Sequence, residues 1–289
     1  MVCSNGLKKY AGGLIMKTLK VIKIGGNVID NPESLQQFIA DFARLQGPKI
    51  LVHGGGKIAT KIAEDLGIKS TMIEGRRITD GESLKVVCMV YAGLINKNIV
   101  AGLQQHKCNA IGLSGADGNM IRATRRLPQK ILSSGEDLAE AVDYGFVGDL
   151  DESSIDHQGL RKLLEAGFIP VFSAITHDGK GQLLNTNADT IASAISVAMS
   201  KDYETSLIFC FEKAGVLMDV EDEDSVIRSI DPHYYDELKR QGIINDGMIP
   251  KLDNAFEAIN KGLKEVCIGK ADALPHLNNE KFGTRLISR

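Results

Sequence analysis

The chain has 289 residues, 43% of them apolar, and a formal charge of −3, so it can bury a full core and carries no charge excess that would draw it to nucleic acid. Its cysteines, Cys3, Cys88, Cys108, Cys210 and Cys267, are odd in number and scattered without a C-x-x-C pair, which argues against a zinc site or a disulfide scaffold and fits a reduced cytoplasm. No run reads as long and apolar enough to span a bilayer or to form a signal-peptide core, so a cytoplasmic protein without a membrane partner is expected.

Residues 1–18 read as an N-terminal extension, with Gly6, Gly12 and Gly13 ahead of a second methionine, Met16. Residues 19–24 form the first apolar, β-branched run of a buried strand, carrying Lys23 at its end and Gly25-Gly26 behind it. Asn31 and Pro32 then signal a helix over 34–45, where Leu35, Phe38, Ile39, Phe42 and Leu45 fall at helical spacing. A second strand at 50–52 leads through His53 into Gly54-Gly55-Gly56 and a helix over 57–66. Residues 74–80 read as part of a hairpin, with Arg76 and Arg77 on opposite faces.

A helix over 82–105 is apolar around nearly its whole circumference. It is expected to be buried on both sides, either as a core helix or with its outer side in a homodimer interface. Further strands are expected at 110–113, 169–172, 206–210 and 266–268, further helices at 158–166, 188–200, 234–241 and 249–261, and a hairpin excursion within 120–148. Strands alternating with helices predict a mostly parallel sheet covered on both faces.

Two glycine turns, each between an apparent strand and a helix, suggest phosphate cradles, because glycine admits positive φ and lets backbone N–H groups approach an anion. Gly54-Gly55-Gly56-Lys57-Ile58-Ala59 also satisfies G-x-G-x-x-A, with Glu74 where a dinucleotide site wants its ribose acid. Tight turns without any ligand remain a third reading. Lys23, at the end of a buried strand, needs a partner or a ligand. Lys251 follows Pro250 into the first turn of a helix, where the dipole disfavours a cation unless an anion docks there. In Asn185-Thr186-Asn187-Ala188-Asp189, Thr186 and Asp189 have the spacing of a capping box, while two amides and a carboxylate also suit a site that organises a lysine. Arginine suits a bidentate grip on a carboxylate, which makes one of Arg76 and Arg77 a candidate anchor.

Together VIKIGG, VHGGGK, EGRRITD, LSGADG, QLLNTNADT, INDGMIPK and FGTR, in this order from Leu19 to near the last residue, resemble the amino acid kinase family. Within it the pattern is most similar to members that phosphorylate the γ-carboxylate of an N-acylated glutamate in arginine biosynthesis. The resemblance implies an α/β fold, a three-layer αβα sandwich with a mainly parallel central sheet. Residues 19–190 would form an N-terminal lobe for the acyl-amino acid and for dimerisation, and residues 191–289 a C-terminal lobe for ATP. It also implies ATP with Mg²⁺ bridging its phosphates, no metal held by the protein alone, and a homodimer formed through the helix near 82–105.

Carried over to this sequence, the resemblance makes Lys23, Lys251 and Asp189 catalytic, with Asp189 holding both lysines beside the transferring phosphoryl group. Gly25, Gly26 and Glu212 would join the lysines in contacting the nucleotide. Gly54, Gly55, Arg77, Asn185 and Asn187 would bind the acyl-amino acid. The family's T/S-D-V-x-G-V turn is replaced by Phe211-Glu212-Lys213-Ala214-Gly215-Val216, G-L-R-V-T by Gly75-Arg76-Arg77-Ile78-Thr79, and LSGKDG by Leu113-Ser114-Gly115-Ala116-Asp117-Gly118. N-acetyl-L-glutamate is the favoured substrate, N-succinyl-L-glutamate with Arg76 on its second carboxylate the alternative. A non-catalytic sensor of nucleotide and amino acid is the reading from another class. The short, glycine-punctuated leader predicts no strong arginine feedback.

Overall fold

The computed structural model describes residues 16–69, 71–73, 76–130, 141–244, 248–279 and 282–288. The leader, Glu74, Gly75 and Asn245-Asp246-Gly247 of the INDGMIPK motif lie outside the described residues, as does the side chain of Arg76. Each of the six apolar runs read as strands enters one eight-stranded sheet. Its strands are β1 (Thr18–Ile24), β2 (Lys49–His53), β3 (Ala110–Leu113), β4 (Ile169–Ser173), β5 (Glu204–Phe211), β6 (Ser229–Ile230), β7 (Glu265–Lys270) and β8 (Thr284–Leu286). They lie in the order β6-β8-β7-β5-β1-β2-β4-β3. Every pairing is parallel except β7 with β8. The strands β6 and β8 escape sequence reading because two or three residues carry no measurable period.

Helices cover both faces and complete the three-layer sandwich. They are α1 (Gly26–Asp30), α2 (Pro32–Arg44), α3 (Gly56–Asp65), α4 (Gly81–Cys88), α5 (Asn96–Gln105), α6 (His157–Glu165), α7 (Ala188–Met199), α8 (Pro232–Arg240) and α9 (Ile249–Asn260). Asn31 caps α2 by accepting from the Ser34 N–H at 2.9 Å, with Pro32 in the first turn, as the sequence predicts. Lys49, buried at the start of β2, donates to the carbonyl oxygens of Phe42, Ala43 and Leu45 and so closes the other end of α2.

The order places β1 at the switch of the sheet. The chain builds β2, β3 and β4 on one side of β1 and then crosses to β5 on the other. Connections leaving the carboxyl ends of β1 and β5 therefore diverge and open a crevice there. Short antiparallel strand pairs stand apart from this sheet. Met72–Ile73 pairs antiparallel with Arg76–Arg77, the hairpin read in the sequence. Gln129–Lys130 pairs with Ala141–Val142, and Thr124–Arg125 with Gly148–Asp149, the expected excursion.

Three expectations need correction. The helix over 82–105 is not uniform: α4 and α5 are joined by a π-helical turn, Met89–Ile95. Of the two readings of its burial, the core helix fails within this chain, because Met89 and Leu94 are 57% and 48% exposed while Val90, Tyr91 and Ile95 are buried. The wider turn directs Tyr91 and Ile95 together onto Gly55, so apolar residues all round serve two different surfaces. Finally, the continuous helix Gly81–Gln105 is long and apolar enough to cross a bilayer by length and composition, contrary to the sequence reading. In this fold Leu84, Val87, Val90, Ile95, Ile99 and Leu103 are spent in the core.

Gly55 has φ of +149° and precedes α3, a conformation that L side chains rarely adopt. An added Cβ would also overlap Ile95 Cδ1. Gly55→Ala is expected to lower stability by about 2–4 kcal/mol in urea unfolding, with Ile95→Ala in the same chain recovering only the packing share. A loss below about 1 kcal/mol would mean that the turn relaxes freely.

Candidate active site

A cleft of about 1260 Å³ opens at the carboxyl edge of the sheet. Lys23 rises from the end of β1, 8% exposed, and its Nζ lies 2.8 Å from Asp189 Oδ1. Asp189 occupies the first turn of α7, where the positive helix end also favours a carboxylate. The predicted capping box is corrected: Asn187, not Thr186, caps α7, accepting from the N–H groups of Asp189 and Thr190 at 2.8 and 3.1 Å. Thr186 is buried and its hydroxyl engages Thr176 and the Gly148 carbonyl instead. With the cap supplied by Asn187, the Asp189 carboxylate is free to face Lys23.

Lys251 enters from the other side, in the first turn of α9, exposed, with Nζ 4.7 Å from the centroid of the Phe211 ring. Lys23 Nζ stands 5.4 Å from the same centroid. Among the described residues Asp189 pairs with Lys23 and forms no ion pair with Lys251. Gly26 lines the cleft at the start of α1. The Gly25 N–H donates to the Cys210 carbonyl at 3.1 Å, so that group ties β1 to β5. Glu212 is exposed on the loop after β5 and does not line the cleft.

Gly54, Gly55, Arg77, Asn185 and Asn187 line the same cleft. Arg77, 8% exposed, donates from Nη2 to the Gly56 carbonyl at 3.2 Å and to Thr60 Oγ1 at 2.6 Å. Asn185 donates from Nδ2 to Thr79 Oγ1 at 3.1 Å. Sequence reasoning missed the groups that hold these in place. The Tyr91 hydroxyl bonds to Arg77; burial pushes its pKa up and the guanidinium partly offsets this. Arg126 forms an ion pair with Asp149 at the cleft wall. A tyrosine inside an otherwise apolar helix was the available signal for the first, since a buried hydroxyl needs a partner.

His53 was also missed, although a histidine closing a buried strand ahead of three glycines was a signal. It is fully buried; Nδ1 donates to the Gly54 carbonyl at 2.9 Å and Nε2 accepts from Asn96 Nδ2 at 3.0 Å. Asn96 Nδ2 also reaches the Val171 carbonyl at 2.9 Å. Burial lowers the imidazole pKa to about 4, so the ring is neutral at pH 7 and serves as a fixed donor and acceptor.

The amino acid kinase family model matches residues 18–270. The chain belongs to the amino acid kinase family. This amino acid kinase is 54% identical over 275 residues to the acetylglutamate kinase of Cytophaga hutchinsonii, covering 94% of this chain and 100% of that protein. It is 51% identical over 272 residues to the acetylglutamate kinase of Parabacteroides distasonis, again covering 94% and 100%. The carbamate kinase of Giardia lamblia bound to AMP-PNP shares the fold at TM-score 0.65 and 14% identity, covering 95% of this chain and 99% of that one.

The buried, neutral His53 of this kinase carries a pH dependence. Its proton is taken up near 6.5 in the unfolded chain but only near about 4 in the folded one. The unfolded state therefore binds more protons between those values, and stability falls as pH drops through that window. His53→Gln should remove this dependence, on the order of 3 kcal/mol across the window. Thermal unfolding from pH 7 to pH 4 tests it; identical pH slopes in both proteins would show that His53 titrates in the folded protein as it does in the unfolded chain.

Proposed function

We propose that this chain transfers the γ-phosphoryl group of ATP to the γ-carboxylate of N-acetyl-L-glutamate, giving an acyl phosphate and ADP, as a step in arginine biosynthesis. The observation that carries this reading is the convergence of Lys23, Asp189 and Lys251 on one cleft that Arg77 and Asn185 also line. Two relatives named acetylglutamate kinase, at 54% and 51% identity across nearly the whole chain, support the substrate.

In this reading Arg77, braced by Thr60 and Tyr91, anchors the α-carboxylate, and Asn185 orients the same part of the substrate, with Asn187 beside it. The glycine turn at Gly54-Gly55 brings bare backbone against it. The γ-carboxylate is already ionised at neutral pH, so no group has to remove a proton. One of its oxygens attacks the γ-phosphorus, the bond to the ADP oxygen breaks, and charge accumulates on the equatorial oxygens. Lys23 and Lys251 neutralise that charge, and Asp189 keeps Lys23 aimed. Alignment and charge stabilisation are what this reaction class requires.

Among the described residues no group of three or more His, Cys, Asp or Glu side chains is placed to hold a metal ion. Mg²⁺ in this reading would arrive with ATP and would supply neutralisation of phosphate charge. Residues 19–190 serve as the acyl-amino-acid lobe and 191–289 as the ATP lobe, with the protein in the cytoplasm. The exposed Met89 and Leu94 form the homodimer face.

Lys23→Ala and Lys251→Ala should each lower kcat by about 100-fold or more with stability retained, in an assay that traps the acyl phosphate with hydroxylamine. Running glutamate, N-acetylglutamate and N-succinylglutamate in parallel identifies the acyl group, and no product from any of them would point to a non-catalytic sensor. For the dimer, Met89→Glu combined with Leu94→Glu should yield monomers in analytical ultracentrifugation; an unchanged dimer would place the interface elsewhere.

A further inference from the structure

The side chain that the two lysines share carries no charge. Phe211 closes β5 at the carboxyl edge of the sheet and opens the segment that departs from the family turn. Its ring receives Lys23 Nζ at 5.4 Å and Lys251 Nζ at 4.7 Å from the centroid. The ring is itself held: Phe209 stacks on it with centroids 5.9 Å apart and planes 17° apart. Phe211 Cδ1 also lies 3.8 Å from where a Gly25 side chain would begin, so the bare glycine turn makes room for the ring.

The two ammonium groups repel each other, and that repulsion grows as a cleft excludes water. Lys23 has Asp189 to offset it, whereas Lys251 forms no ion pair among the described residues. A second carboxylate between the lysines would hold them, but it would also repel an incoming triphosphate. An aromatic face attracts a cation through its quadrupole while adding no net charge. The positive charge of both lysines therefore stays available to the phosphoryl group.

We propose that Phe211 is a positioning residue for phosphoryl transfer: its ring gathers Lys251 towards Lys23 before the nucleotide arrives. This rests on the reading that both lysines act on the transferring group. Leucine at this position would keep the apolar packing and lose the attraction, and tyrosine would keep both.

The test replaces Phe211 in the full chain with mono-, di- and trifluorinated phenylalanine, which drain the ring face of charge at nearly constant volume. Hydroxamate trapping then gives kcat and the KM values for ATP and N-acetylglutamate, with thermal unfolding as a control for folding. The expected result is a progressive fall in kcat, roughly threefold to thirtyfold at the trifluoro ring, with KM for N-acetylglutamate and the unfolding temperature unchanged. Phe211→Tyr should stay near wild type and Phe211→Leu should fall at least as far as the trifluoro ring. A flat kcat across the series overturns the proposal, and so does a change confined to KM for ATP, which would make the ring a nucleotide contact. Lys23→Ala and Lys251→Ala separate the two levels. If they retain wild-type kcat, the lysine reading itself fails; if they lose it while the fluorinated series stays flat, only the role of Phe211 fails.

Discussion

The ion pair between Lys23 and Asp189 is the constraint around which the cleft is arranged. An ammonium at the end of a central strand is tolerable only with an opposite charge or several acceptors at hand. Lys49 meets the same problem differently, because three carbonyl oxygens at the end of α2 take its three protons and leave it a structural cap. Among the described residues Lys23 has Asp189 alone within ion-pair reach, which leaves donor capacity facing the cleft. Asp189 can serve because Asn187 has already capped α7. The position of β1 at the switch of the sheet then ensures that the unsatisfied donors face a crevice rather than a packed layer.

Elsewhere in the cleft lining, uncharged backbone and an arginine locked by its neighbours are held in place. His53 ties the Gly54 carbonyl to Asn96, and Asn96 ties in turn to β4 through Val171. Tyr91 and Ile95, from the π-helical turn, stand against Gly55, while Met89 and Leu94 from the same turn face outward. One turn of helix thus belongs both to the wall of the cleft and to the apolar outer surface. Close packing of this kind transmits displacement with little slack.

Much of this was legible along the chain. The six long strands and the helices beginning near Pro32, His157 and Ala188 follow from apolar period and from start signals, because both depend on residues only a few positions apart. The separate motifs, agreeing in order, carried the family and nominated Lys23, Asp189, Arg77 and Lys251. What failed had a longer-range cause. Thr186 and Asp189 have the spacing of a capping box, yet Thr186 is drawn into contact with Thr176 and Gly148, and the cap passes to its neighbour. The all-round apolar pattern of 82–105 gave no sign of a π-helical turn, whose Tyr91 and Ile95 meet Gly55 from a distant part of the chain.

The sequence by itself determined the layer architecture, the two glycine turns and the residue types that chemistry on an anion needs, because short-range periodicity and ordered motifs are local properties. Only the tertiary structure decided which partner each of them has. That Lys23 meets Asp189, that Lys251 comes to the ring of Phe211, and that His53 is buried and neutral against Asn96 all depend on the order of strands in the sheet. That order is set by which apolar faces bury each other across long stretches of chain, and no spacing within a single segment records it.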